Sequence, residues 1–102
     1  MAELVVLYKT PKDAADFDKH YFEAHVPLAK KLPGLKKYAV SKGPVGTPAG
    51  PSQFHLVAIL TFDSVGDIQK AFGTPEGKAA AADVAKFATG GVEMQIFETK
   101  EV

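Results

Sequence analysis

The order of elements in this chain predicts an α+β fold of the ferredoxin-like type, βαββαβ, with a four-stranded antiparallel sheet and two helices on one face. Three observations carry that prediction. Apolar and β-branched runs occur at residues 3–9, 35–42, 54–62 and 92–99. Two amphipathic patterns with three- and four-residue spacing separate the first run from the second and the third from the fourth. Gly, Pro or a capping residue marks each boundary.

The first strand, ELVVLYK, stops at Thr10-Pro11. Asp13 then suits an N-cap with Asp16 three residues on, and Phe17, Tyr21, Ala24, Leu28 and Leu32 form an apolar stripe. Pro33-Gly34 terminates this helix. Pro27 lies inside it, denies the carbonyl of Glu23 its usual donor, and predicts a kink. The second strand, LKKYAVSK, carries lysines that fit an edge position. Residues 43–53, with three glycines and three prolines, read as a loop, either a lid or a contact arm.

FHLVAILTF at 54–62 has the strongest strand pattern in the chain. Ser64 with Asp67 opens a short helix that Gly73 closes, and Thr74-Pro75-Glu76 restarts it as a second piece. Gly90-Gly91 ends that piece before the last strand, VEMQIFET. The 102 residues suffice for one domain, 1–102, with one core and no need of a disulfide.

Strand 54–62 is apolar on both sides: Phe54, Leu56, Ala58, Leu60 and Phe62 on one, Val57 and Ile59 on the other. Helices cover only one face of such a sheet, so a homodimer packed sheet to sheet is expected.

Composition excludes several classes. All 12 basic residues are lysine and they balance 12 acidic ones, which argues against nucleic-acid partners. No apolar run is long enough to span a membrane and no secretory leader pattern opens the chain, so a cytoplasmic location with no membrane partner is expected. Zero cysteines exclude thiol nucleophiles and thiolate-held metals.

Of the three histidines, His20 and His25 share the first helix. Their spacing of five places them on opposite flanks of the stripe, about 80° and about 60° from its centre, so no metal site is expected. Tyr21 and His25, four apart, are neighbours at the border of the stripe. Imidazole titrates near neutrality and suits a general base, while the phenol can hydrogen-bond a substrate oxygen; His25 and Tyr21 are therefore the candidate catalytic pair. A structural role is the competing reading: there His25 donates to a backbone carbonyl freed by Pro27 while Tyr21 packs. Phe17, Phe22, Leu28 and Phe62 are candidate substrate-binding residues. His20 reads as a solvated surface residue, His55 as a strand-end cap, and Tyr8 and Tyr38 as packing residues that could also line a pocket.

The segment FDKHYFEAHVPL at 17–28, followed by Leu32-Pro33-Gly34-Leu35, resembles the signature of the EthD family, named for ethyl tert-butyl ether degradation. The resemblance implies a dimeric α+β barrel, a pocket between helices and sheet, His25 and Pro27 as motif residues, and Tyr21-Phe22 as the aromatic pair where many members have Tyr-Trp. Relatives in the wider superfamily include polyketide cyclases, muconolactone isomerases, cofactor-free monooxygenases and haem enzymes, and EthD members are often labelled reductases or oxidoreductases. This sequence carries no flavin, nicotinamide or haem motif, so no cofactor is expected. The expected function is His/Tyr-assisted proton transfer on a small hydrophobic oxygenated compound, as in a cofactor-independent isomerase or cyclase. The alternative is a non-catalytic ligand-binding or accessory protein of an ether or xenobiotic degradation system.

Overall fold

In the computed structural model, which describes residues 1–102, the strands form where the sequence alternates or runs apolar: β1 (Ala2–Lys9), β2 (Lys37–Val40), β5 (Phe54–Phe62) and β6 (Val92–Glu98). They make one antiparallel sheet in the order β2-β5-β1-β6, the ferredoxin-like arrangement. β1 is central, with Leu4 opposite Leu60 and Ile96, and Val6 opposite Ala58 and Met94. Because side chains alternate along a strand, these residues face the helices, while Val5, Leu7, Val57, Ile59 and Phe97 line the opposite face.

β2 is shorter than the apolar run 35–42 suggests, although Lys36 and Ser41 amides still donate to Thr61 and Val57 carbonyls at its two ends. The Gly/Pro segment 43–53 is not wholly irregular: β3 (Gly46–Thr47) and β4 (Gly50–Pro51) pair as a two-rung hairpin, pinned by the Thr47 hydroxyl on the Gly50 carbonyl.

All three expected helix caps are present. Asp13 accepts from the Asp16 amide at the start of α1 (Ala14–His20), Ser64 from the Asp67 amide before α3 (Val65–Phe72), and Thr74 from the Gly77 amide before α4 (Pro75–Phe87). α3 and α4 meet so tightly at Gly77 that a Cβ there would lie 2.1 Å from the Ala71 carbonyl oxygen. Gly90, just past α4, is pressed against Thr10 in the same way, at 2.0 Å.

The first helical segment departs from the expected regular helix. Between α1 and α2 (Val26–Ala29) the chain makes a π turn, Tyr21–His25, in which the Val26 amide reaches back five residues to the Tyr21 carbonyl. The irregularity expected at Pro27 thus takes the form of one extra residue in the turn before it. That residue rotates everything downstream. The buried face runs Phe17, Tyr21, His25, Ala29 and Leu32, whereas an unbroken α-helix would bury Ala24 and Leu28; these two are only half-buried.

The core lies between sheet and helices. Tyr8, Phe17, Tyr21 and Phe87 form an aromatic cluster with ring centroids 5.2–5.7 Å apart, mostly edge to face. No helix is long and apolar enough to cross a membrane.

Candidate active site

Helices and sheet do not close completely on each other. A cavity of about 270 Å³ separates them, floored by Leu4, Val6, Ala58 and Leu60, roofed by Ile68 and Val84, and reaching the surface past Met94 and Ile96, each about half exposed. Sixteen of its 18 lining residues are hydrophobic and none is a lysine, so the cavity suits an uncharged ligand.

Its polar groups come from a few side chains. The Tyr21 and Tyr38 hydroxyls are 2.5 Å apart and share one hydrogen bond, which leaves one O–H of the pair free to donate elsewhere. The Tyr8 hydroxyl makes no hydrogen bond to the protein; no fully buried side-chain polar atom lacks a partner, so this group opens onto the cavity. Burial raises the Tyr8, Tyr21 and Tyr38 hydroxyls above the ordinary phenol value, with Tyr38 pushing Tyr8 and Tyr21 further and the Tyr21 hydrogen bond partly opposing the rise at Tyr38. All three remain protonated donors across the physiological range.

His25, expected beside Tyr21, is there: the rings lie 5.4 Å apart and both line the cavity. Its partner is not a backbone carbonyl. His25 Nδ1 lies 3.0 Å from Asp83 Oδ2, and His20 Nε2 lies 3.0 Å from both oxygens of the same carboxylate. Asp83 therefore accepts from two imidazoles. Nδ1–H of His25 points to Asp83, which leaves Nε2 as the free lone pair, and with no protein partner Nε2 opens onto the cavity. Burial lowers the His25 ring below the usual histidine range, a fall that the Asp83 hydrogen bond and charge only partly offset and to which His20 adds. Burial alone would raise the Asp83 carboxyl, but the hydrogen bonds and charges of His20 and His25 outweigh it and hold it below the ordinary carboxylate value. At neutral pH the site holds a carboxylate and a neutral imidazole with a free lone pair.

The opposite-flank placement of His20 and His25 is overturned by the π turn, since i→i+5 closure brings residues five apart onto one face. His20 is consequently not a free surface residue: it stacks on Phe87 and binds Asp83. His55 bonds Asp18 Oδ1 at 2.8 Å and meets the edge of Phe17, outside the cavity.

None of the four expected substrate contacts lines the cavity. Phe17 and Phe62 are sealed in the core, Phe22 is 49% exposed in an outer groove beside Val45 and Phe54, and Leu28 is rotated away by the π turn, which puts Ala29 in its place. Tyr8 and Tyr38 line the cavity instead, with Asp83 behind His25. The missed carboxylate had a sequence signal: Asp83 falls within the buried stripe Ala80, Val84, Phe87, where an unpaired acid would be costly.

A ferredoxin-like domain with a lined helix-to-sheet cavity defines the class of protein. Within that class the chain belongs to the EthD family, whose EthD domain model matches residues 9–91. It is 39% identical, over its whole length and 98% of the relative's, to an uncharacterized 11.0 kDa protein in the thcB-thcC intergenic region of Rhodococcus erythropolis. It is also similar to a crystal structure of an ethyl tert-butyl ether degradation (EthD) family protein from Bacillus halodurans. That match has 40% identity and a TM-score of 0.89, covering 98% of this chain and 99% of that one. The hydroxynitrile lyase of Passiflora edulis shares the fold, with a TM-score of 0.77 at 15% identity over 99% of this chain and 94% of the lyase.

Proposed function

We propose that the chain binds a small, uncharged, largely hydrophobic compound bearing one oxygen function and moves a proton on it without a cofactor. The observation that carries this reading is the free Nε2 of His25, set by Asp83 on the wall of an apolar cavity that also contains the Tyr21–Tyr38 hydroxyl pair. In the productive pose the free O–H of the tyrosine pair donates to the ligand oxygen and stabilises charge developing there. His25 Nε2 takes the proton from a neighbouring C–H or O–H and returns it elsewhere on the same molecule, the chemistry of an isomerase, cyclase or lyase. The cavity volume suits a compound of about a dozen non-hydrogen atoms.

The test is a thermal-shift screen of lactones, phenols and small ketones, followed by turnover assays of the binders with wild type, His25→Gln and Tyr38→Phe. Turnover that falls by about 10²- to 10⁴-fold in His25→Gln, with folding intact, supports the reading. The same apolar lining would also serve an accessory protein that carries such a compound unchanged. Tight binding with no turnover, indifferent to His25→Gln, is the outcome that reading expects.

The working form is proposed to be a homodimer. On the sheet face away from the helices, Ile59 and Phe97 are 42% and 44% exposed and continuous with half-buried Val5, Leu7 and Val57. A second copy of the chain would cover that face, and sedimentation at micromolar concentration decides between dimer and monomer.

A further inference from the structure

The proposed chemistry draws on the Tyr21–Tyr38 hydroxyl pair and leaves the Tyr8 hydroxyl unused. We propose that Tyr8 is a further substrate-binding residue whose O–H joins the free O–H of that pair on one ligand oxygen. The substrate is then a carbonyl compound, a ketone or lactone, rather than an ether or a phenol.

Tyr8 is 1% exposed, yet its hydroxyl has no partner in the protein and reaches the cavity. Packing does not require that oxygen. The ring is wedged among Phe17, Tyr21 and Phe87, at centroid distances of 5.3, 5.6 and 5.4 Å, and a phenylalanine would make the same three contacts. A hydroxyl enclosed by apolar walls is costly until something accepts its proton. Tyr8 also stands where β1 slips register against β5, between Tyr8 and Lys9, the kind of irregularity that re-aims a side chain beside a site.

The donors are gathered at one end of the cavity. The Tyr8 and Tyr21 rings meet edge to face, and Tyr8 lies within electrostatic reach of both Tyr38 and the Asp83 carboxylate that holds His25. Burial, the largest cause, raises all three phenols, so they stay neutral donors. A terminal carbonyl oxygen presents two lone pairs in its plane and can take two O–H groups. An ether oxygen is screened by a carbon on either side, and a phenol spends its own O–H on the base. A carbonyl also acidifies the C–H beside it. With His25 as base, the reading on which this step rests, that C–H bond breaks toward Nε2 and its electron pair moves into the C–C bond. The carbonyl pair moves onto oxygen, where two O–H donors meet the developing charge, and the proton then returns from Nε2 to carbon.

The test reads binding without turnover. β-Tetralone, its cyclic-ether counterpart isochroman and the hydrocarbon tetralin, all of a size the cavity admits, are titrated into wild type, Tyr8→Phe and His25→Gln. The ketone carries ¹³C at its carbonyl, which NMR follows. Wild type should prefer the ketone to both other compounds, with the bound carbonyl resonance displaced downfield from its position in an alkane solvent, as in hydrogen-bonded carbonyls. In Tyr8→Phe the ketone should bind about tenfold more weakly, the worth of one hydrogen bond, while tetralin binds as before and the resonance moves part of the way back. His25→Gln should keep the preference and the resonance of wild type, so a His25 that is not the base shows only in the turnover assays and leaves this result standing. Wild type that binds β-tetralone no better than tetralin or isochroman would overturn the proposal, and that comparison needs no variant. So would a Tyr8→Phe protein that keeps both the preference and the carbonyl resonance of wild type.

Discussion

The two helical segments that set His25 in the cavity wall do so by opposite means. α4 is regular: Ala80, Asp83, Val84 and Phe87 recur at ordinary helical spacing, and the carboxylate is delivered simply by occupying a buried position. The segment from α1 to α2 is irregular, and without its π turn neither imidazole arrangement would exist. The extra residue turns His25 into the cavity in place of Ala24, swings Leu28 out in favour of Ala29, and brings His20 round to the acceptor that His25 uses. One helix thus supplies a fixed charge by regularity, and the other supplies the groups around it by a local fault in its ladder.

The sharpest way to break this pairing is Asp83→Ala. It leaves two imidazole N–H groups without an acceptor, one of them buried, and is expected to cost about 3 kcal/mol by chemical denaturation. A loss under about 0.5 kcal/mol would mean that the carboxylate does not organise the two helices.

Next in size is Gly77→Ala at the start of the regular helix. Propensity alone favours Ala over Gly by about 1 kcal/mol, yet the new Cβ would meet the Ala71 carbonyl oxygen at 2.1 Å. Packing should win, with a net loss of about 2 kcal/mol. Stabilisation would show that the α3–α4 corner has room for a methyl group. Thr74→Ala removes the α4 cap and should cost about 1 kcal/mol, a local effect that leaves the His25–Asp83 contact and the imidazole NMR signals unchanged.

The smallest effect is the pH dependence of stability in the difference between wild type and His25→Gln. The folded His25 ring titrates below its ordinary value of 6.5, so between the two values the unfolded chain binds a proton that the folded chain does not. The His25 contribution is complete above about pH 6.5 and is lost as pH falls through the folded value. Asp83, depressed below its ordinary 3.8, behaves likewise at lower pH, its contribution vanishing as pH falls through its own folded value. Denaturation midpoints measured from pH 8 to pH 3 should therefore show a loss below pH 6.5 in wild type that is smaller in His25→Gln. Parallel curves in that interval would contradict the assignment.

Much of this was legible in the sequence, and the illegible part has one cause. Asp13, Ser64 and Thr74 announced their caps through a side-chain acceptor three residues before the amide it binds, a local signal that packing did not override. Strand runs and Gly/Pro breaks fixed the element order for the same reason. The apolar stripe of the first helix assumes 100° per residue, and an inserted π residue leaves no mark in a hydrophobic pattern. Pro27 locates the disturbance but not its form: the spacing of four still makes Tyr21 and His25 neighbours, whereas Leu28 is turned away from the cavity and His20 from solvent. Asp83, Tyr8 and Tyr38 lie on other elements, and only the sheet register and helix packing bring the two tyrosines to the cavity and the carboxylate behind His25.

The proposed chemistry needs a neutral His25 acting as a base in the cavity, and the most direct measurement is hydrogen–deuterium exchange at the carbon next to the carbonyl of a bound small ketone or lactone. Followed by ¹H NMR in D₂O, it needs no knowledge of the natural product. Wild type should accelerate that exchange by about 10²- to 10⁴-fold over His25→Gln, with equal binding and equal folding of the two proteins. Equal exchange rates in wild type and His25→Gln, with the compound shown to occupy the cavity, would contradict the claim.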